Sequence, residues 1–239
     1  MGHFNLKGSY SHAFRAPLIE NIAANLLIRP EKTVVSEIEL AYKLNTHWLM
    51  SVNIFDIAIA DPIVYGTDGI IESYHNYSAL GTRGAEAELN YRSDKLRLTA
   101  NYSYYINTKN DVQTFATPNK EMLIGFANYK VTANAAYDLS NNISLTANIV
   151  YLNNKYAYTG VDGDGNRTLS LLAPTYTLNS KINFANFEQL KGLSFGIGCY
   201  NALDNKYFFV QAYQGDLNPI SSLGREWVLN VKYMISKTK

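Results

Sequence analysis

Apolar and polar residues alternate strictly over long stretches of this chain. Between Asn128 and Leu139, one parity carries Tyr129, Val131, Ala133, Ala135, Tyr137 and Leu139. The other carries Asn128, Lys130, Thr132, Asn134, Ala136 and Asp138. A period of two puts successive side chains on opposite faces of a strand, whereas a helix would space its apolar residues by three and four. The same pattern predicts ten strands, at 3–14, 32–44, 47–61, 73–92, 95–107, 123–139, 143–158, 172–187, 192–204 and 223–236. Strands of ordinary globular proteins run about five or six residues. These run twelve or more, enough for the roughly nine to eleven residues with which a tilted strand crosses a bilayer.

The links between the segments alternate in length. Asn45-Thr46, Ser93-Asp94, Ser140-Asn141-Asn142 and the stretch from Glu188 to Lys191 are short, and the first three are rich in residues whose side chains bond nearby backbone. The intervening links, 15–31, 62–72, 108–122, 159–171 and 205–222, are long. Short turns on one rim and long loops on the other predict an all-β, antiparallel, up-and-down transmembrane β-barrel segment, with the short turns on the periplasmic side. Aromatic pairs of matching parity support it: Phe4 and Tyr10, Tyr129 and Tyr137, Tyr176 and Phe184, Trp227 and Tyr233. Six to eight residues cover roughly 20–27 Å along a strand, so such pairs suit the two interfaces of a membrane. Ordinary β-propensity of aromatic residues is the plainer explanation.

Composition sharpens this picture. There are 19 Tyr, 10 Phe and 2 Trp, and Tyr suits surfaces that meet both lipid and water. Asn is also abundant, at 26. With 21 basic and 20 acidic side chains there is no basic excess to suggest a nucleic-acid partner. A single cysteine, Cys199, excludes an internal disulfide and any Cys-rich metal site. No apolar run reaches the roughly 18–20 residues of a spanning helix. The opening Met1-Gly2-His3 lacks the basic and apolar regions of a signal peptide, as expected of a chain whose start is not that of an exported precursor.

Five stretches resemble the C-terminal half of TonB-dependent receptors. Ser9-Tyr10-Ser11-His12-Ala13-Phe14-Arg15-Ala16-Pro17 is similar to the family's Y-S-x-x-F-R-A-P strand end. Leu27 to Glu31 with Ser36 to Tyr42 resembles L-x-P-E…E-x-G-Y, with Ala41 in place of the usual Gly. Asn76-Tyr77 with Thr82 to Leu89, Asn201 to Tyr207, and Gly224 to Trp227 resemble N-x-G…G-x-E-x-E, N-L-F-D-x-x-Y and P-G-R-x-[FW]. Unlike typical outer-membrane barrels, the chain does not finish on an aromatic residue; Ile235 is followed by Ser236 to Lys239. The resemblance implies the last ten strands of a 22-stranded barrel in the bacterial outer membrane. It implies one domain over 1–239, with the N-terminal plug and its TonB-binding box lying outside this chain. The full receptor would take up a metal chelate (siderophore-like) or a cobalamin-like solute, coupled to TonB, and the segment would not transport alone. No cofactor is expected. A self-contained small outer-membrane channel or ligand-binding barrel is the alternative.

Candidate ligand contacts lie at or beyond the outer strand ends: His12, Arg15, Tyr156, Tyr158, Tyr207, Phe209 and Tyr213, with Phe208 beside them. Stacking on a chelate or corrin would suit the aromatic members, although girdle or loop packing would equally explain them. Solvation at the rim is the plainer reading of His12, and an ion pair with Glu20 or Glu31 that of Arg15. Asp162-Gly163-Asp164-Gly165-Asn166 begins like a calcium loop, but Arg167 stands where glycine belongs and no bidentate Glu follows, so a Gly-rich turn is expected. His3, His12, His47 and His75 lack zinc spacing. No His falls between Pro17 and Glu31, which argues against the haem-using branch of the family. No nucleophile–His or paired-acid motif suggests an enzyme.

Overall fold

All ten alternating segments form strands in the computed structural model, which describes residues 2–67, 72–185, 192–210 and 218–235. In chain order the elements are β1 (His3–Arg15), α1 (Ile19–Ala24), β2 (Glu31–Lys43), β3 (Trp48–Ala60), β4 (Ile63–Thr67), β5 (Glu72–Asn76), β6 (Ala79–Arg92), β7 (Leu96–Asn110) and a 3-10 turn (Gln113–Phe115). Then follow β8 (Tyr129–Asp138), β9 (Ile143–Leu152), β10 (Lys155–Val161), β11 (Arg167–Leu172), β12 (Thr175–Phe184), β13 (Leu193–Tyr200), β14 (Phe208–Phe209), β15 (Ile220–Ser221) and β16 (Glu226–Tyr233). Ten of them make one antiparallel sheet in the order β1-β2-β3-β6-β7-β8-β9-β12-β13-β16. The remaining six pair as small hairpins, β4 with β5, β10 with β11 and β14 with β15, each inside a long connection.

The short turns close as their residues dictate. Asn45 Oδ1 accepts the backbone N–H of His47 at 2.8 Å and of Trp48 at 3.0 Å. Ser93 Oγ accepts from Leu96 at 3.1 Å, and Ser140 Oγ from Asn142 at 3.2 Å. Such side-chain bonds hold a tight reversal without a longer loop. The expected turn at Glu188 to Lys191 lies outside the described residues.

Register keeps the two faces separate across the whole sheet. Following cross-strand partners, Leu6 meets Leu40, Leu40 meets Val52, Val52 meets Ala87, Ala87 meets Tyr102 and Tyr102 meets Val131. The line continues through Tyr151 to Tyr176. One slip by a single residue would break it. Aromatic rings meet across strands on this apolar face: Phe4 stacks on Tyr42 at 4.2 Å, Tyr129 on Tyr151 at 5.8 Å and Phe184 on Phe195 at 4.7 Å, and Trp48 tilts against Tyr91 at 4.5 Å. Each such pair adds about 0.2–1 kcal/mol. The face is nonetheless uncovered, with Leu6 72 % and Leu229 70 % exposed. A water-soluble sheet of this size would bury that surface.

Gly84 shows why one position of the β6 motif must be small. A Cβ there would collide with the Tyr104 carbonyl and with the Phe55 ring. The carbonyl belongs to the β6–β7 ladder, so the clash cannot be relieved by turning a side chain. Gly84→Ala is therefore expected to cost about 1–3 kcal/mol as an overpacking change. Reduced heat-modifiable gel mobility of the refolded protein would register the loss.

Some boundaries differ from the sequence expectation. The segment 73–92 is two strands, broken at Tyr77-Ser78 between β5 and β6. The segment 123–139 starts only at Tyr129, because Leu123 and Ile124 are buried among the loops. Asn153-Asn154 divides 143–158 into β9 and β10, and 172–187 begins as the end of β11. Among the described residues, β1 and β16 do not pair with each other, so the ten strands form an open sheet with two free edges.

Candidate functional site

Asparagines of β8, β9 and β12 form a ladder on the polar face. Asn148 Nδ2 donates to Asn134 Oδ1 at 2.8 Å, Asn179 Nδ2 to Asn148 Oδ1 at 3.1 Å, and the Asn201 N–H to Asn179 Oδ1 at 2.8 Å. An amide both donates and accepts, so identical side chains can bond in series across neighbouring strands. Charges of both signs lie on this face, with Arg97 paired to Asp138 at 3.5 Å. Glu37, Glu39, Glu86 and Glu88 lie on β2 and β6, with Ser9 donating to Glu37 at 2.9 Å. Arg97, Lys130 and Lys181 lie on β7, β8 and β12. Between these acids and Lys130, a cleft of about 530 Å³ is lined by Glu39, Glu86, Glu88, Asn101 and Lys130. Such a wall is wetted and suits a hydrophilic occupant.

Above the sheet, the long connections build a layer with a core of its own. Val112 and Ala157 are 0 % exposed and Ile124 1 %, with Ile63, Met122 and Leu123 also buried. A backbone bond from Gly125 N–H to Tyr156 O at 2.7 Å ties two connections together, and one from Ile124 N–H to Phe115 O at 3.3 Å folds the β7–β8 connection on itself. Asn25 donates to Tyr74 O at 2.9 Å, and Arg29 pairs with Asp61 at 2.6 Å. Burial at the start of β10 pushes the Lys155 ammonium below its ordinary pKa.

The sequence candidates do not form one cluster. His12 and Arg15 are three residues apart, so they occupy opposite faces of β1. His12 shares its face with Tyr10 and Phe14 and pairs with Val34, on the apolar side. Arg15 donates to Glu31 at 2.8 Å and to the Ile63 carbonyl at 3.1 Å, which leaves it holding two connections together. Tyr156 and Tyr158 flank the buried Ala157 on β10, and the Arg167 guanidinium lies 5.6 Å from the Tyr158 ring centroid. Tyr207 meets Phe209 edge-on at 5.3 Å, with Phe208 and Phe209 42 % and 54 % exposed. Tyr213 lies outside the described residues. Asp162 accepts the N–H of Asp164 at 3.0 Å and of Asn166 at 2.8 Å. The Asn166 bond, ahead of the others, holds its carboxyl below the usual range. Its oxygens thus serve the turn.

The latch behind the last strand escaped sequence reasoning, although its residues lie in two quoted motifs. Asn201 donates to Asn205 O at 3.0 Å and accepts the Asn205 N–H at 3.1 Å. Asp204 Oδ1 accepts from Lys206 Nζ at 3.2 Å and from the Arg225 N–H at 2.9 Å. Asn201 and Asp204 have φ of 47° and 52°, and Gly224 of 90°, a left-handed region that Asn, Asp and Gly tolerate best. The Lys206 hydrogen bond, then the Arg225 N–H, hold the Asp204 carboxyl below its usual pKa. A depressed carboxylate contributes stability above its unfolded pKa and loses it as pH falls through the folded one. An acid transition reported by Trp227 fluorescence, in a Trp48→Phe background, is expected in the parent and absent in Asp204→Asn.

Comparison with known proteins places this arrangement. Many solved structures resemble it, among them three receptors. The ferric-catecholate import receptor Fiu from E. coli K12 has 19% identity and TM-score 0.72, over 97% of this chain and 33% of that one. The siderophore receptor PirA from Acinetobacter baumannii has 17% identity and TM-score 0.76, over 96% and 39%. The ferripyoverdine receptor of the Pseudomonas aeruginosa outer membrane has 12% identity and TM-score 0.74, over 96% and 31%. At these identities the likeness is one of fold, and the chain spans only 31% to 39% of their lengths. A search of curated protein sequences gave no match. The family model described as "TonB dependent receptor-like, beta-barrel" matches residues 2–202, and the chain belongs to that family.

Proposed function

We propose that this chain forms the C-terminal ten strands of an outer-membrane receptor that takes up a ferric siderophore-type chelate through TonB. The observation that carries the reading is the pair of faces kept in register over ten strands, apolar and uncovered on one side, hydrogen-bonded and charged on the other. Facing hydrocarbon, the first needs no cover; lining a watery interior, the second stays solvated. Unpaired edge groups in lipid cost several kcal/mol each. β1 and β16 therefore call for partner strands from the rest of a longer polypeptide, which argues against a ten-stranded channel closed on itself. The exposed Phe208 and Phe209, with Tyr207 packed edge-on against Phe209, are proposed to stack on the chelate.

The test is complementation. A full-length receptor containing this segment, produced in cells stripped of their own siderophore receptors, should restore iron-limited growth on at least one ferric chelate, and only when TonB is present. Phe209→Ala should weaken chelate binding roughly twofold to tenfold, the range of one aromatic contact. Growth independent of TonB, or none on any chelate tried, would defeat the proposal.

A further inference from the structure

Across the apolar face of the ten strands, charge is confined to one place. Among the described residues of those strands, the charged side chains on that face are Lys32, Asp56, Arg83 and Lys109. All stand toward the long-connection rim of β2, β3, β6 and β7. Partners fix their facing: Lys32 pairs with Phe14 and Ala60, Asp56 with Ser36 and Arg83, and Lys109 with Gly81. A Cβ added to Gly81 would meet Thr108 Oγ1 at 2.7 Å and the Cβ of Lys109 at 3.6 Å, so at the β7 bulge both side chains stand toward this face.

Their depth is informative. On β8 and β12 the rings nearest the two rims are eight residues apart, Tyr137 with Tyr129 and Phe184 with Tyr176. On β3 and β6 the inner rings are Trp48 and Tyr91, which contact one another. Eight residues further along stand Asp56 and Arg83, joined by Arg83 Nε to Asp56 Oδ2 at 2.7 Å. That interval is about 26 Å of strand. An ion pair thus replaces the outer aromatic belt in this sector, with Lys32 and Lys109 just beyond it. Three cations and one anion leave an excess of two positive charges where hydrocarbon gives way to headgroups. Val34, Ala58 and Gly81 form a low apolar row between His12 and Lys109.

We infer that this sector is a docking site for a phosphate-bearing, anionic lipid of the outer leaflet. Lys32, Lys109 and Arg83 hold its headgroup, and its chains lie along the small apolar row. Asp56 fixes the Arg83 fork toward the headgroup layer. The inference rests on the proposed lipid-facing orientation of this face.

The probe is phosphatidylglycerol, with phosphatidylcholine as the neutral control. Lipid retained by the full-length receptor in zwitterionic detergent is counted by native mass spectrometry. Phosphatidylglycerol should be retained preferentially. Lys32→Gln with Lys109→Gln, which leaves the Asp56–Arg83 pair intact, should cut that preference roughly tenfold or more at low salt. Unchanged preference in the double variant, or none in the parent, would overturn the site. Displacement of the lipid by equimolar inorganic phosphate would overturn it too, in favour of a soluble anion. Heat-modifiable mobility separates the two levels: a compact band without lipid preference defeats the site alone, and a missing band defeats the orientation beneath it.

Discussion

Ala133→Arg is expected to destabilise the folded receptor by about 2–4 kcal/mol, the cost of an arginine on the lipid side near the bilayer midplane. Ala133 sits midway between Tyr129 and Tyr137 on β8, with Ala100 and Ile149 as cross-strand partners. No acid or water-facing group lies in its row to receive a guanidinium. The adjacent substitution, Thr132→Arg, points to the other face, where Asn101 is the partner and Glu88 stands one strand further. It should cost little. Denaturant unfolding in phosphocholine vesicles measures both. Equal losses at the two neighbours would mean that the faces are not divided between lipid and water.

Ile124→Ala is the second large effect, and it should be local. Ile124 is 1 % exposed and lies in the connection between β7 and β8, which bonds to β10 through Gly125. Truncating a fully buried isoleucine costs about 2–5 kcal/mol. Because the loop core is separate from the sheet, the loss should appear as rapid proteolysis within 111–128 while heat-modifiable mobility stays intact. Unfolding of the barrel together with the loop would show the two layers to be one cooperative unit.

The sheet was legible in the sequence, since period two reports directly on which residues share a face. The ten strands are present, though five of them run only eight to ten residues, and of the short turns those at Asn45, Ser93 and Ser140 close by the side-chain bonds their types suggest. Alternation does not say where a chain leaves the sheet. Leu123 and Ile124 look like a strand start, yet they fill the loop core, and β10 alternates as well as β9 does. The candidate site was less legible. Spacing alone separates His12 from Arg15, since an odd interval puts them on opposite faces. Of the two acids expected as partners of Arg15, Glu20 and Glu31, it is Glu31 that pairs, but nothing in spacing says that Arg15 would also reach the Ile63 carbonyl. Which connections lie side by side depends on contacts distant in sequence, and short apolar words such as Phe208-Phe209 carry no record of their neighbours.

Each rung of the sheet joins strands consecutive in the meander, with the extra hairpins set aside in the outer connections. A two-strand unit is therefore modular. Adding or deleting one returns the chain to the same rim, travelling in the same direction, with every later side chain on its original face. Circumference can change in steps of two without rewriting the remaining strands, so the width of the enclosed space and the chemistry of its wall are free to vary independently.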